Sequence, residues 1–266
     1  MIRLTGVTKR FFAGTPNEVN ALDDLNLCVP PGEFVTVIGS NGAGKSTLLN
    51  AIAGLVEVDA GRVELDGTDV TNWPVYRRAQ FIGRIDQNPL ASTAAAMTVA
   101  ENLAMAFMRG RRRGLARAVT APREKVFREA LAGVGMGLEH RLDVPVRTLS
   151  GGQRQALALV MATLVQPKLL LLDEHTAALD PQAARLVLAI TERVVTTHGL
   201  TTLMVTHNME QAIRYGSRLI MMHRGRIILD VGQDEKRRLT VRDLVARFVA
   251  TSGDSFDDDR VLLATP

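Results

Sequence analysis

Apolar and polar residues alternate over Ile2–Val7 and Leu25–Val29, which predicts two half-buried strands near the start of the chain. After the turn residues Pro30-Pro31-Gly32 comes Phe34-Val35-Thr36-Val37-Ile38, an apolar, β-branched run that predicts a strand covered on both faces. A glycine-rich segment follows, and then a helical stretch from Ser46 to about Ala53. From about Thr98 to Val165 the pattern is helical: Ala, Leu, Met, Glu and Arg dominate, and Pro122 stands where a helix can begin. Short strands then alternate with helices again. Strands are predicted at Leu169–Leu172, Thr202–Val205, Arg218–Met222 and Arg226–Asp230, and helices at Pro181–Thr197 and Met209–Tyr215. This order predicts an α/β sheet layer interrupted by a helical insertion, without internal repeats. The expected segments are a first core part over 1–87, a helical subdomain over 88–165, a second core part over 166–248 and an acidic, solvated tail over 249–266 containing Asp254-Ser255-Phe256-Asp257-Asp258-Asp259.

Composition narrows the class. A chain of 266 residues with 46% hydrophobic and 23% charged positions can bury a sizeable core and is not compositionally disordered. Cys28 has no intrachain partner, so a disulfide framework is excluded and a reducing compartment is expected. Lys and Arg number 32 against 28 Asp and Glu, a net +4 too mild to point to nucleic acid. The strongest apolar runs, Ala156–Val165 and Leu169–Leu172, fall far short of the ~20 residues of a bilayer helix, and residues 1–6 lack the apolar core of a signal peptide. The expectation is a soluble, cytosolic chain that reaches a membrane only by docking.

The candidate chemistry begins with Gly39-Ser40-Asn41-Gly42-Ala43-Gly44-Lys45-Ser46, which fits G-x-x-x-x-G-K-[ST] at every fixed position. Glycines let backbone N–H groups turn inward around phosphate oxygens, and the following helix adds the positive end of its dipole. Lys45 is placed to reach the β- and γ-phosphates and Ser46 to ligate Mg²⁺. The second signal is Leu169-Leu170-Leu171-Leu172-Asp173-Glu174, an apolar strand that delivers two carboxylates to a sheet edge. Paired with the loop, Asp173 reads as a Mg²⁺ ligand and Glu174 as the general base. Taken alone, the same segment also reads as a buried strand capped by solvated acids.

Between these two lies Leu149-Ser150-Gly151-Gly152-Gln153-Arg154-Gln155. With this run the chain resembles the nucleotide-binding subunits of ATP-binding-cassette (ABC) transporters over roughly residues 1–250. In that resemblance Gln87 matches the Q-loop glutamine, Ala178-Leu179-Asp180 the D-loop and Thr206-His207 the switch histidine. Phe11 falls at the adenine-stacking position, with Phe12 as the alternative.

The resemblance implies a P-loop NTPase, a RecA-like α/β core with an antiparallel β edge and an inserted helical subdomain. It implies that Lys45, Ser46 and Thr47 cradle phosphates and metal, and that Gln87 touches Mg²⁺ or the lytic water. It further implies that Ser150, Gly151, Gly152, Gln153 and Asp180 meet nucleotide across a dimer, and that His207 contacts the γ-phosphate. ATP and Mg²⁺ are the implied cofactors. The implied partners are a second ATPase subunit, integral membrane permease subunits and an extracytoplasmic binding protein, with no nucleic acid. The implied location is peripheral, on the cytoplasmic face of the inner membrane. Solute import is the leading reading; an exporter ATPase or a non-transport ABC ATPase of cofactor assembly stays open.

His175 stands where the family commonly has proline. It reads as a tolerated loop residue, with modulation of Glu174 as the sharper alternative. The basic run Arg109-Gly110-Arg111-Arg112-Arg113-Gly114 reads as a solvated loop, with a face toward anionic lipid as its alternative. Met204, Met209, Met221 and Met222 read as core filling rather than a soft-metal site. Cys28, within a strand, reads as buried and inert.

Overall fold

The computed structural model describes residues 2–88, 92–111, 114 and 116–252. Arg112 and Arg113 of the basic run lie outside the described residues. Along the chain run β1 (Ile2–Phe11), β2 (Val19–Val29), β3 (Phe34–Gly39), α1 (Lys45–Ala53), β4 (Ala60–Leu65), β5 (Thr68–Asp69), α2 (Val75–Arg78), β6 (Ile82–Ile85), α3 (Val99–Phe107) and α4 (Ala121–Ala132). There follow α5 (Gly151–Thr163), β7 (Leu169–Asp173), α6 (Pro181–His198), β8 (Thr201–Val205), α7 (Met209–Arg214), β9 (Arg218–His223), β10 (Arg226–Val231), α8 (Gln233–Lys236) and α9 (Val241–Ser252). The described residues form two compact units, 2–78 with 201–252, and those between 79 and 200.

In the first unit an antiparallel sheet has the order β2-β1-β4-β5, and a second set of strands runs β10-β9-β3-β8 with β3 parallel to β8 and β9. All six residues of β3 are buried, as its unbroken apolar run requires. β1 and β2 extend beyond the predicted spans because register shifts after Leu4, Val7 and Lys9 interrupt the period of two while pairing continues. Cys28 is exposed, which corrects the expectation of burial: Leu27 and Val29 take the inward positions and the pleat turns Cys28 outward. Met204, Met209, Met221 and Met222 are buried core residues, as expected.

Two buried cations brace this unit. Arg78 donates to Ala51 O (2.7 Å) and Ile52 O (2.9 Å), capping the carbonyl end of α1, and also to Trp73 O and Thr71 O. Lys236 donates to Tyr215 O, to Gly216 O (3.0 Å) and to Thr36 Oγ1 (3.3 Å) on β3. Burial pushes the Lys236 ammonium down to about 8. Helix α9, which the sequence reading did not resolve, buries Leu244 and Phe248 against Ile38, Met209 and Met221. Its start is capped by Thr240 and Asp243: each backbone N–H donates to the other's side chain, at 2.8 and 3.2 Å. Residues 249–252 therefore complete a helix, and the rest of the expected tail lies outside the described residues.

In the second unit β6 and β7 pair in parallel, Ile82 with Leu169 through Ile85 with Leu172. Pro122 lies in the first turn of α4, as predicted. Arg109 departs from the solvated-loop expectation: its guanidinium donates to Ala162 O (2.8 Å) near the end of α5, and desolvation lowers its pKa. Arg111 stacks over Phe107 at 4.1 Å from the ring centroid.

Candidate functional site

The glycine pattern of the phosphate loop is a steric requirement. Gly39 has φ +153°, and a Cβ there would stand 2.2 Å from Met222 O. Gly44 has φ +97°, and a Cβ would stand 2.2 Å from Ala21 O. No L side chain fits either place. Gly44 is the N-cap of α1, and no side chain caps that helix start. Ala43 N–H donates to Ser40 O within the loop at 3.1 Å. The Lys45 ammonium is buried and donates to Gly39 O (2.8 Å) and Ser40 O (3.0 Å), which folds it over its own loop. Asn41, Gly42 and Ser46 are exposed and Thr47 half-buried. A helix start without a side-chain acceptor, a buried cation and exposed backbone form a cradle suited to a polyanion.

The same unit positions His207 and the two phenylalanines. Thr206 N–H donates to Val37 O at 3.1 Å, which carries the end of β8 alongside β3. Asn208 then accepts from Gln211 N–H at 2.9 Å and caps α7, leaving half-buried His207 between strand and helix. Phe11, the last residue of β1, is half-buried, with Lys9 Nζ 5.6 Å from its ring centroid. Phe12 adopts φ +55° and is 69% exposed, so both rings are offered at the strand end.

In the second unit the register of β6 on β7 brings two predicted residues together. Ile85 pairs with Leu172 at the end of this ladder, and two residues further along the chain from each, beyond the strand ends, Gln87 Nε2 donates to Glu174 Oε2 at 3.2 Å. Asp173 is buried, while Glu174 is half-buried and held in the left-handed region at φ +44°. A non-glycine residue in that conformation is a point of stored strain.

The next side chain explains how that turn is anchored. His175 is buried, its Nε2 lies 3.2 Å from Thr191 Oγ1 on α6, and Thr191 donates onward to Val187 O at 2.9 Å. Burial pushes the imidazole down to about 4, so it is neutral at physiological pH. His175 is therefore a core residue, which replaces the loop-residue expectation.

The signature run opens α5. Ser150 is the N-cap: its Oγ accepts from Gln153 N–H at 3.3 Å, and Gln153 Oε1 accepts from Ser150 N–H at 3.2 Å. A Cβ on Gly151 would meet Leu179 at 3.2 Å, and one on Gly152 would meet Ala183 at 3.3 Å. The glycines thus admit the segment leading into α6. There Asp180 caps the helix, accepting from Gln182 N–H (3.1 Å) and Ala183 N–H (2.9 Å). Sequence reasoning missed His223, which meets Ser40 of the phosphate loop. Its one available signal was the His-Arg-Gly turn between two apolar strands.

A strand, a glycine loop and a helix, with a carboxylate pair at the end of another buried strand, describe a nucleoside-triphosphate-hydrolysing cassette. Residues 22–177 match the family model described as ABC transporter, and the chain belongs to that family. It is 43% identical over 250 residues to a tyrosine transport ATP-binding protein of Clostridioides difficile, covering 93% of this chain and 98% of that protein. It is 34% identical over 250 residues to a spermidine/putrescine import ATP-binding protein of Haemophilus influenzae, covering 94% of this chain and 62% of that longer protein.

Among solved structures it resembles a dimeric ATP-binding cassette in a post-hydrolysis state bound to ADP and Pi, with TM-score 0.75 and 28% identity, covering 88% of this chain and 99% of that one. The chain is an ATP-binding subunit of an ABC transporter and hydrolyses ATP to power transport. Subunits of this class dimerise and work with membrane permeases. No helix among the described residues is long and apolar enough to cross a membrane.

Proposed function

We propose that this chain energises import of a small solute. It would act at the cytoplasmic face of the inner membrane, as a peripheral dimer bound to a separate permease and served by an extracytoplasmic binding protein. The spermidine/putrescine import relative, 34% identical over 250 residues, supports the import direction. The observation that carries the catalytic reading is the hydrogen bond from Gln87 to Glu174.

Lys45 turns from its two loop carbonyls to the β- and γ-phosphates, and Gly39, Ser40, Asn41, Gly42, Ala43, Gly44 and Thr47 shape the cradle around them. Phe11 stacks on the adenine. Ser46 and Asp173 each carry a hard oxygen donor of the kind Mg²⁺ selects and would hold that ion when it is bound. Mg²⁺ supplies charge neutralisation on the phosphates. Glu174 takes a proton from the attacking water as its oxygen bonds the γ-phosphorus, and the bond to the bridging oxygen breaks toward ADP. Gln87 orients that carboxylate, and His207 holds the γ-phosphate and water in line. Ser150, Gly151, Gly152, Gln153 and Asp180 close over nucleotide held by a second copy.

Replacing Glu174 by Gln keeps the shape and removes the base. ATP binding is expected to persist while turnover falls about 10²- to 10⁴-fold, with an ATP-dependent dimer accumulating in size-exclusion chromatography. Turnover by Glu174→Gln within tenfold of wild type overturns the assignment.

A further inference from the structure

We propose that His223 is a positioning residue for the phosphate loop, holding Ser40 in place and linking it to the packing of the C-terminal helix α9. The inference rests on the reading of residues 39–47 as the ATP-binding loop.

The place of His223 is set by local chemistry. Arg224 (φ +46°) and Gly225 (φ +80°) form a two-residue turn with both residues left-handed, the geometry that matches strand twist in a hairpin. Arg226 pairs back onto His223, so the imidazole stands at the last position of β9. Strand β3 runs parallel to β9 in a register that ends with Gly39 opposite Met222. One residue further along each chain are Ser40 and His223, and there the side chains meet, with Ser40 Oγ 3.3 Å from His223 Nδ1.

Backbone contacts flank this one. Met222 O occupies the space a Cβ on Gly39 would need, and Gly225 N–H donates to Ala43 O at 3.1 Å. The loop therefore leans on residues 222–225 at Gly39, Ser40 and Ala43 in turn. On its other side the imidazole meets the ring of Phe248 edge-to-face, with centroids 5.2 Å apart and planes at 88°. Phe248 is 1% exposed and belongs to the same buried cluster as Ile38, the residue that immediately precedes the loop. Ser40, His223 and Phe248 thus form a continuous line from the ATP-binding loop to α9.

Such a line matters because the loop works by convergence of backbone amides, and a loop freed to sample other conformations binds phosphate more weakly. The chemistry assigned to Glu174 belongs to the other compact unit. Loss of the His223 contact should therefore move ATP affinity and KM while leaving kcat at saturating ATP alone. If the ring were only filler, leucine would serve equally well.

Equilibrium binding of ATP with Mg²⁺ and steady-state ATPase activity, measured on the full chain, test this. His223→Leu is expected to weaken ATP binding and raise KM about three- to tenfold, the worth of one hydrogen bond, with kcat within twofold. His223→Asn, which returns a polar atom near the Nδ1 position, should recover most of the affinity. Ser40→Ala should lose a similar factor, and the double variant no more than the larger single loss, since both remove one contact.

ATP affinity of His223→Leu equal to wild type, additive losses in the double variant, or His223→Asn as weak as His223→Leu would each overturn the proposal. Should His223→Leu melt early, His223→Asn and Ser40→Ala decide. Failure of the wild-type chain to bind ATP would instead overturn the reading of the loop itself.

Discussion

The chain opens two helices with glycine-rich runs, and the two helix starts are finished in different ways. At α1 the N-cap is Gly44, left-handed and without a side-chain acceptor, and the nearby charge is a buried lysine bonded to carbonyls of its own loop. At α5 the N-cap is Ser150, locked in a reciprocal pair of hydrogen bonds with Gln153. The first start is shaped by backbone conformations that exclude any Cβ and carries a cation suited to an anionic guest. The second has the amides of Ser150 and Gln153 bonded to its own side chains, and a Cβ on either of its glycines would crowd Leu179 or Ala183. Similar composition therefore serves two physical ends. One fits a cradle for an anion, and the other is the surface proposed above to meet nucleotide held by a second copy.

The sharpest way to break this contrast is at Gly39. Gly39→Ala forces a methyl group into Met222 O from a φ of +153°, and a loss of about 3 kcal/mol or more in denaturant unfolding is expected, together with loss of ATP binding. A Gly39→Ala chain as stable as wild type would remove the steric account of the loop.

A second test uses the support beneath β3. The Lys236 pKa is near 8 when folded and 10.5 as the ordinary value, so between those values the unfolded chain holds the proton that the folded chain sheds. Stability from this group must then rise as pH climbs from about 8 toward 10.5, by at most about 1.4 kcal/mol per pH unit. Thermal melts of Lys236→Met against wild type across that window should show the rise in the wild type and its absence in the variant.

The smallest effect belongs to the capped helix. Ser150→Ala removes one acceptor at a helix start and should cost about 1 kcal/mol, with ATP binding by the single chain unchanged. A loss of ATP affinity in the monomer would show that the two helix starts are less separate in role than their caps suggest.

Much of the fold was legible along the chain, for reasons visible at particular residues. The run Phe34–Ile38 reads as a covered strand and is one, and Pro122 marks where a helix begins. Helix α9 went unread although Val241, Leu244, Val245 and Phe248 carry its period, because a short amphipathic stretch beside charged residues resembles a solvated tail until its partners are known. Cys28 and Arg109 were misread because burial depends on what covers a position: the pleat turns Cys28 outward, and Ala162 O draws the Arg109 guanidinium inward.

By itself the sequence determined the class of chemistry. Glycine spacing, Lys45, the Asp173-Glu174 pair and the order of the motifs are covalent facts, and a period of two or of 3.6 is a local property of the backbone. The tertiary structure alone decided which distant residues meet. Register between β6 and β7 joins Gln87 to Glu174, burial against α6 turns His175 away from solvent, and the β9–β10 turn brings His223 to Ser40. Strand register and side-chain burial depend on pairing across long stretches of chain, and a one-residue slip of β6 on β7 or of β3 on β9 would part Gln87 from Glu174 or Ser40 from His223.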